Sequence, residues 1–87
     1  MSKMNRYKVC GMIKTTVTGK LIYLVLDDLV GDSGEVVIPQ RRLCDALRLS
    51  RSAVSRNLRR LESAGAIIII PQYHSDGGRS ANKYVVK

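Results

Sequence analysis

A chain of 87 residues has room for one small domain, because a core of this size buries only about 60% of the surface that the unfolded chain exposes. Apolar residues make up 45% of the chain, which excludes an intrinsically disordered tail, and no run approaches the roughly 18 apolar residues of a membrane-spanning helix. Fifteen Lys and Arg against seven Asp and Glu give a net charge of +8, so the leading class of partner is a polyanion.

The two cysteines and the one histidine lack the spacing of a metal site. Cys10 and Cys44 lie far apart without a CxxC motif, and His74 has no partner at zinc-ligand spacing. Unpatterned cysteines suit a reducing compartment, where each packs as a small apolar side chain. We therefore expect a cytoplasmic protein that holds no metal ion and no cofactor.

The N-terminal third is expected to form an extended arm followed by a helix. Residues 7–13 are weakly strand-like and are interrupted by Gly11, so we expect an extended arm over residues 1–14. Thr18 is the expected N-cap of the first helix, and Gly31 is its expected end. The apolar stripe of this helix, with i, i+3, i+4, i+7 spacing, consists of Ile22, Val25, Leu26 and Leu29.

Two further helices, separated by a few residues, follow a short strand. Residues 35–38 are expected to form the strand, and Pro39 then suits the start of a second helix that runs to about Leu47. Ser50 can cap a third helix that ends at Gly65 in a left-handed conformation. Helices joined so closely cross steeply, and we expect the crossing to bury Leu43, Leu47, Leu49, Val54 and Leu58. The buried stripe of the third helix is expected to consist of Val54, Leu58 and Leu61.

The C-terminal segments are predicted to form a β-hairpin. Residues 66–70 and 84–86 are rich in β-branched side chains, and the Gly-rich segment 74–82 supplies the bend between them. Alternate residues of a strand face opposite sides, so half of the isoleucine run at 67–70 is expected to be buried. An exposed pair, either Ile68 with Ile70 or Ile67 with Ile69, would indicate a dimer contact.

The continuous stretch LCDALRLSRSAVSRNLRRLESAGAI, residues 43–67, resembles the bacterial winged helix-turn-helix family. The family pattern is Leu-Ala-x-x-Leu-Gly-Val-Ser-x-x-Thr-Val-Ser-Arg-x-Leu-x-x-Leu-Glu-x-x-Gly-x-Ile. Cys44, Arg48 and Ala53 replace its Ala, turn Gly and Thr. Arg48 therefore implies either a left-handed residue or a different turn. Ala53 lacks the threonine hydroxyl, so one possible contact to a phosphate or base is missing here. The resemblance implies an α+β fold over residues 15–87, with three helices, a short strand and a two-stranded C-terminal wing.

The resemblance also implies that the helix at residues 51–64 enters the major groove of double-stranded DNA. With its apolar stripe inward, the outward residues are expected to be Arg51, Ser52, Ser55, Arg56 and Arg59, which we call the reading face. We expect Arg56 and Ser52 to read bases, since arginine pairs with guanine through two hydrogen bonds. Arg51 and Arg59 are expected to contact either bases or phosphates.

Further cations are expected to contact the DNA backbone or the minor groove. Arg41, Arg42 and Arg60 are the expected phosphate contacts. Arg79 lies beside two glycines of the wing loop and is expected to enter the minor groove, with His74 and Lys83 beside it.

Three functions remain open from the sequence. The first is a small transcriptional regulator that binds a palindromic site as a homodimer. The second is the DNA-binding module of a plasmid or phage replication initiator, or a copy-control protein, which the arm, first helix and residues 78–86 also resemble. A protein-interaction module is the third, and it leaves the arginines of residues 41–60 unexplained. An enzyme is disfavoured, because no nucleophile–base pair or phosphate loop is evident and the chain is too short to enclose a substrate pocket.

Overall fold

The order of elements in the computed structural model is helix, helix, strand, helix, helix, strand, strand, and the structure describes residues 3–73, 75 and 81–87. The four helices are α1 (Lys3–Met12), α2 (Val17–Val30), α3 (Gln40–Leu47) and α4 (Arg51–Ser63). The three strands are β1 (Glu35–Ile38), β2 (Ile67–Ile70) and β3 (Asn82–Val86), and a single 3-10 turn, Gly31–Ser33, follows α2. The α+β winged-helix architecture is confirmed, with one helix more than expected.

The additional helix is α1, so the expectation of an extended arm is wrong for residues 3–12. Its contacts with α2 explain the difference. The Arg6 guanidinium pairs with the carboxylates of Asp27 and Asp28 and donates to the Leu24 carbonyl oxygen. Cys10, 3% exposed, packs in the core. These contacts with distant residues outweigh the weak local strand preference.

Helix α2 begins two residues earlier than expected. The Thr16 hydroxyl, and not that of Thr18, accepts a hydrogen bond from the Gly19 backbone N–H at 2.9 Å and caps the helix. The buried face also differs from the expected stripe: Leu29 is 47% exposed and Val25 half-buried. Most positions of α2 are apolar, so spacing alone did not determine which face turns inward. The buried residues are Gly19, Ile22, Tyr23, Leu26 and Val30.

Strand β3 lies in the middle of a three-stranded antiparallel sheet with the order β1-β3-β2. The predicted hairpin of β2 and β3 and the short strand β1 are confirmed. Tyr84 stands opposite Val36 on one side and Ile69 on the other, and its side chain is fully buried. Tyr84 therefore anchors the central strand in the core.

The turn between α3 and α4 is closed by a left-handed arginine. Arg48 has φ 56° and ψ 43°, and its backbone N–H donates to the Cys44 carbonyl oxygen. Of the two alternatives for this position, the left-handed residue is confirmed. Ser50 then caps α4 by accepting from the Ala53 N–H at 3.1 Å, and Gly65 adopts φ 77° after the helix end. Both predicted caps of α4 are thus confirmed.

The core forms where α2, α4 and the inner face of the sheet meet. The predicted stripe of Val54, Leu58 and Leu61 is buried to within 2% exposure. Leu47 and Leu49 pack against it from the turn, and both cysteines are buried and free. Burial raises the pKa of the Cys10 thiol, so the thiol is protonated at neutral pH. In the part of the chain described, no helix is long and apolar enough to cross a membrane.

Replacing Arg48 by glycine tests the strain at the turn. We expect Arg48→Gly to raise the free energy of unfolding by about 1 kcal/mol, because a Cβ in the left-handed region costs roughly 1–2 kcal/mol. Urea denaturation measures this change. Arg42→Gly, at an exposed position inside α3, is the control and is expected to lower the free energy of unfolding by about 1 kcal/mol. An equal loss in both variants would contradict the strain at Arg48.

Candidate nucleic-acid interface

The outward side of α4 is a polar and basic surface. Three residues of the expected reading face, Ser52, Arg56 and Arg59, recur with helical spacing and are exposed, and Ser63 continues their line by another turn. Arg51 is exposed as well, and Ser55 is half-buried. Since the apolar stripe of α4 is buried on the opposite side, the fold leaves this line of residues open to a partner.

The two flanks of α4 meet different parts of the fold. On one flank, α4 and the sheet enclose a hollow of about 330 Å³ whose lining includes Gln40, Ser55, Arg59 and Asn82. On the other flank, Arg60 lies near Lys14, which belongs to the connection between α1 and α2. Arg59 borders both hollows. The exposed line of α4 therefore lies between two hollows.

A buried asparagine fixes α4 against α2. Asn57 is 5% exposed, its amide nitrogen donates to the Ala53 carbonyl oxygen at 2.8 Å, and its amide oxygen accepts from the Thr16 hydroxyl. The same hydroxyl caps α2. A Cβ at Gly19 would lie 3.3 Å from the Asn57 amide oxygen and would collide with the Thr15 side chain, so glycine leaves the space that this contact needs. Asn57 was not among the expected site residues, and its only sequence signal is a polar residue on the inward side of an amphipathic helix.

The wing is attached to α4 through a glutamate. The Glu62 carboxylate accepts a hydrogen bond from the Ile69 backbone N–H at 3.0 Å, which links the last turn of α4 to the edge strand β2. At the other end of α4, the Gln40 side chain donates to the Arg51 carbonyl oxygen at 3.4 Å. Helix α4 therefore has side-chain links to both α3 and the wing.

The structure places the other predicted cations in separate regions. Arg41 and Arg42 are exposed on α3, and Arg60 is exposed on α4. Lys83 lies on the outer face of the sheet, where its ammonium group is 3.7 Å from the Glu35 carboxylate. Lys83 therefore has an acidic neighbour on the sheet. Arg79 and His74 lie outside the described residues.

Across residues 3–73, 75 and 81–87, no group of three or more His, Cys, Asp or Glu side chains could hold a metal ion. The polar groups that line the two hollows beside α4 are guanidinium, ammonium, hydroxyl and amide groups, together with the Glu62 carboxylate, which accepts from the Ile69 N–H. The donors among them can bind phosphate oxygens and base edges by hydrogen bonding.

Residues 36–68 match the family described as winged helix-turn-helix DNA-binding. The match runs from β1 through α3 and α4 to the start of β2, so it includes the exposed line of α4. The match and the arrangement of helices and strands agree on a winged helix-turn-helix fold. No curated protein and no solved structure matches the chain significantly. In this winged helix-turn-helix domain, α4 occupies the position of the recognition helix.

Removing the Asn57 amide is expected to loosen the recognition helix. Asn57→Ala leaves the Thr16 hydroxyl without its buried acceptor, so we expect the free energy of unfolding to fall by about 1–3 kcal/mol. Thr16→Ala should also destabilise, and the double variant should lose less than the sum of the two. Chemical denaturation of all three proteins measures this coupling. Strictly additive losses would show that the two side chains do not stabilise each other, and Asn5→Ala, exposed on α1, is the control.

Proposed function

We propose that this protein is a small transcriptional regulator that binds specific double-stranded DNA with α4 in the major groove. The supporting observation is the line of Ser52, Arg56 and Arg59 on α4, opposite its buried aliphatic stripe. A major groove about 12 Å wide admits one α-helix, and arginine and serine can reach base edges and phosphates there. The role is one of binding without a catalytic step, and the two free buried cysteines favour a cytoplasmic location.

Each predicted cation has a proposed task in this arrangement. Arg56 and Ser52 read bases, while Arg51, Ser55 and Arg59 contact bases or the neighbouring backbone. Arg41, Arg42 and Arg60 contact phosphates, which add affinity for any sequence. Arg79 enters the minor groove from the wing loop, and Lys83 supports it from the wing strand.

The second candidate is the DNA-binding module of a plasmid or phage replication initiator, or a copy-control protein. The resemblance of residues 78–86 to such modules favours it. The two candidates differ in the geometry of the DNA site, since a dimeric regulator requires two half-sites in inverted orientation. Selection of bound sequences from a random duplex pool distinguishes them: an inverted repeat supports the regulator, and an isolated site supports the module.

A homodimer is proposed on the basis of the outer sheet face. Val37, Ile68 and Ile70 share this face and are 53%, 39% and 37% exposed, so the exposed isoleucine pair is the first of the two that the sequence allowed. Lys83 lies between Val37 and Ile70 on the same face, where Glu35 pairs with it. A symmetric contact between two copies there would give a dimer with two α4 helices, as a DNA site with two half-sites requires.

The roles of the arginines predict two kinds of DNA-binding defect. Arg56→Ala is expected to relax base preference by about 1–3 kcal/mol at one position, because it removes a base contact. Arg41→Ala is expected to weaken all sequences alike and to reduce the slope of log K against log salt by about 1, because it removes a phosphate contact. Fluorescence anisotropy with the selected site and its single-base variants, between about 50 and 200 mM salt, measures both.

Two results would contradict this proposal. The absence of duplex affinity at about 50 mM salt would exclude the function as a whole, because non-specific phosphate contacts alone are strong at that concentration. Equal losses for every sequence in both variants would show that Arg56 does not read a base.

The dimer proposal predicts that a charge on the outer sheet face prevents self-association. Ile68→Lys is expected to give a monomer in sedimentation equilibrium under conditions in which the unmodified protein is a dimer, because burying an unpaired ammonium in an apolar contact is costly. Leu21→Lys places the same charge at a 44% exposed position of α2 and is the matched control. A monomeric unmodified protein at all concentrations, or dissociation by Leu21→Lys alone, would overturn the proposal.

A further inference from the structure

The flank of α4 that is remote from the wing carries a basic hollow, which the reading face does not account for. Lys14, Arg59, Arg60, Ser63 and Ala64 line it, and its volume is about 380 Å³. Its lining therefore holds three cations and a hydroxyl but no carboxylate. The ion pairs found among the described residues involve Arg6 and Lys83, and none of them neutralises these three cations.

Lys14 reaches this hollow from the connection between α1 and α2. Its side chain is exposed. Backbone hydrogen bonds hold the residues around it, since the Ile13 N–H donates to the Cys10 carbonyl oxygen at 3.2 Å and the Thr15 N–H donates to the Ile13 carbonyl oxygen at 2.9 Å. Cys10 is part of the core, so this turn is fixed to the body of the domain. Lys14 is thus held in position facing the last turns of α4.

The hollow adjoins the surface that is proposed to enter DNA. Arg59 lines it on one side and belongs to the reading face, and Ser63 continues the exposed line of α4. An α-helix with its side chains is about 10–12 Å in diameter, close to the 12 Å width of the major groove. Both flanks of a helix in that groove therefore approach the phosphate backbones that form its walls. The sheet lies along one flank, and the basic hollow lies along the other.

We propose that Lys14, Arg60 and Ser63 together bind a phosphate of the DNA backbone on the groove wall opposite the wing. A phosphodiester group is an anion with oxygen acceptors, and the ammonium, guanidinium and hydroxyl groups of this hollow supply the matching charge and donors. The site rests on the proposed function, since it needs α4 in the groove. It extends the DNA contact to the α1–α2 connection, which precedes the segment that matches the family.

Lys14→Ala tests the site, because the side chain is exposed and its removal should leave the fold intact. We expect affinity for every duplex to fall on the order of tenfold at 0.1 M salt, and the slope of log K against log salt to decrease by about 1. Lys14→Arg should retain binding. Lys8→Ala removes the same charge from an exposed position of α1 outside the hollow, and it should change the slope much less.

Neutral methylphosphonate groups, introduced one at a time into the duplex, locate the contact. At one position, the neutral group is expected to lower the duplex affinity of the unmodified protein and of Lys8→Ala, but to lower that of Lys14→Ala little further. A site that binds free phosphate and not DNA would not show this dependence on position. If Lys14→Ala resembles Lys8→Ala while Arg56→Ala still loses base preference, the phosphate site is wrong and the DNA-binding proposal stands. If the unmodified protein binds no duplex, both are wrong.

Discussion

The burial of one side of α4 is the constraint on which the rest of the structure depends. Val54, Leu58 and Leu61 are withdrawn almost completely from water, and this apolar contact with α2 and the sheet fixes the rotation of α4 about its own axis. The arginines of the same helix therefore lie on its outer side. Asn57 makes this otherwise non-directional contact more specific, because the hydrogen bond from the Thr16 hydroxyl to its amide oxygen forms only in one alignment of α4 with the start of α2.

The acidic side chains of α2 and β1 and the cations of α4 lie in different parts of the sequence and of the fold. Asp27 and Asp28, which lie on α2, pair with Arg6, and Glu35 on β1 lies beside Lys83. The acidic residues of α2 thus hold α1 in place, and that of β1 partly neutralises a cation on the sheet. The cations of α4 lack such partners among the described residues, so positive charge is exposed along this helix. A concentrated field of this kind speeds the encounter with a polyanion and depends steeply on salt.

Local patterns were sufficient to predict the part of the fold from β1 to β2. Ser50, Pro39 and Gly65 act at helix ends through their own backbone and side-chain chemistry, so the sequence specifies them directly. Helix α1 was missed because its stability comes from Arg6 and Cys10 contacts with residues distant in sequence. The orientation of α2 was missed for a different reason, since a helix that is apolar on most sides has no strong periodic signal.

The outward line of α4 was predictable, whereas its surroundings were not. Helical spacing assigns Ser52, Arg56 and Arg59 to one side, but no spacing relates Lys14 to Arg60 or Glu62 to Ile69. Such pairings arise only when the turns and strands are assembled. Sequence patterns therefore predict the recognition helix better than the contacts on either side of it.

The central position of β3 has a consequence for the order of folding. Strands β1 and β2 pair only with β3, and α3 and α4 lie between them in the chain, so the helix-turn-helix is enclosed by two strands that do not touch each other. During synthesis β3 emerges from the ribosome after α1 to β2, and until then Tyr84 is missing from the core. The nascent chain can form these helices early, but the sheet closes only when β3 is inserted between its two neighbours.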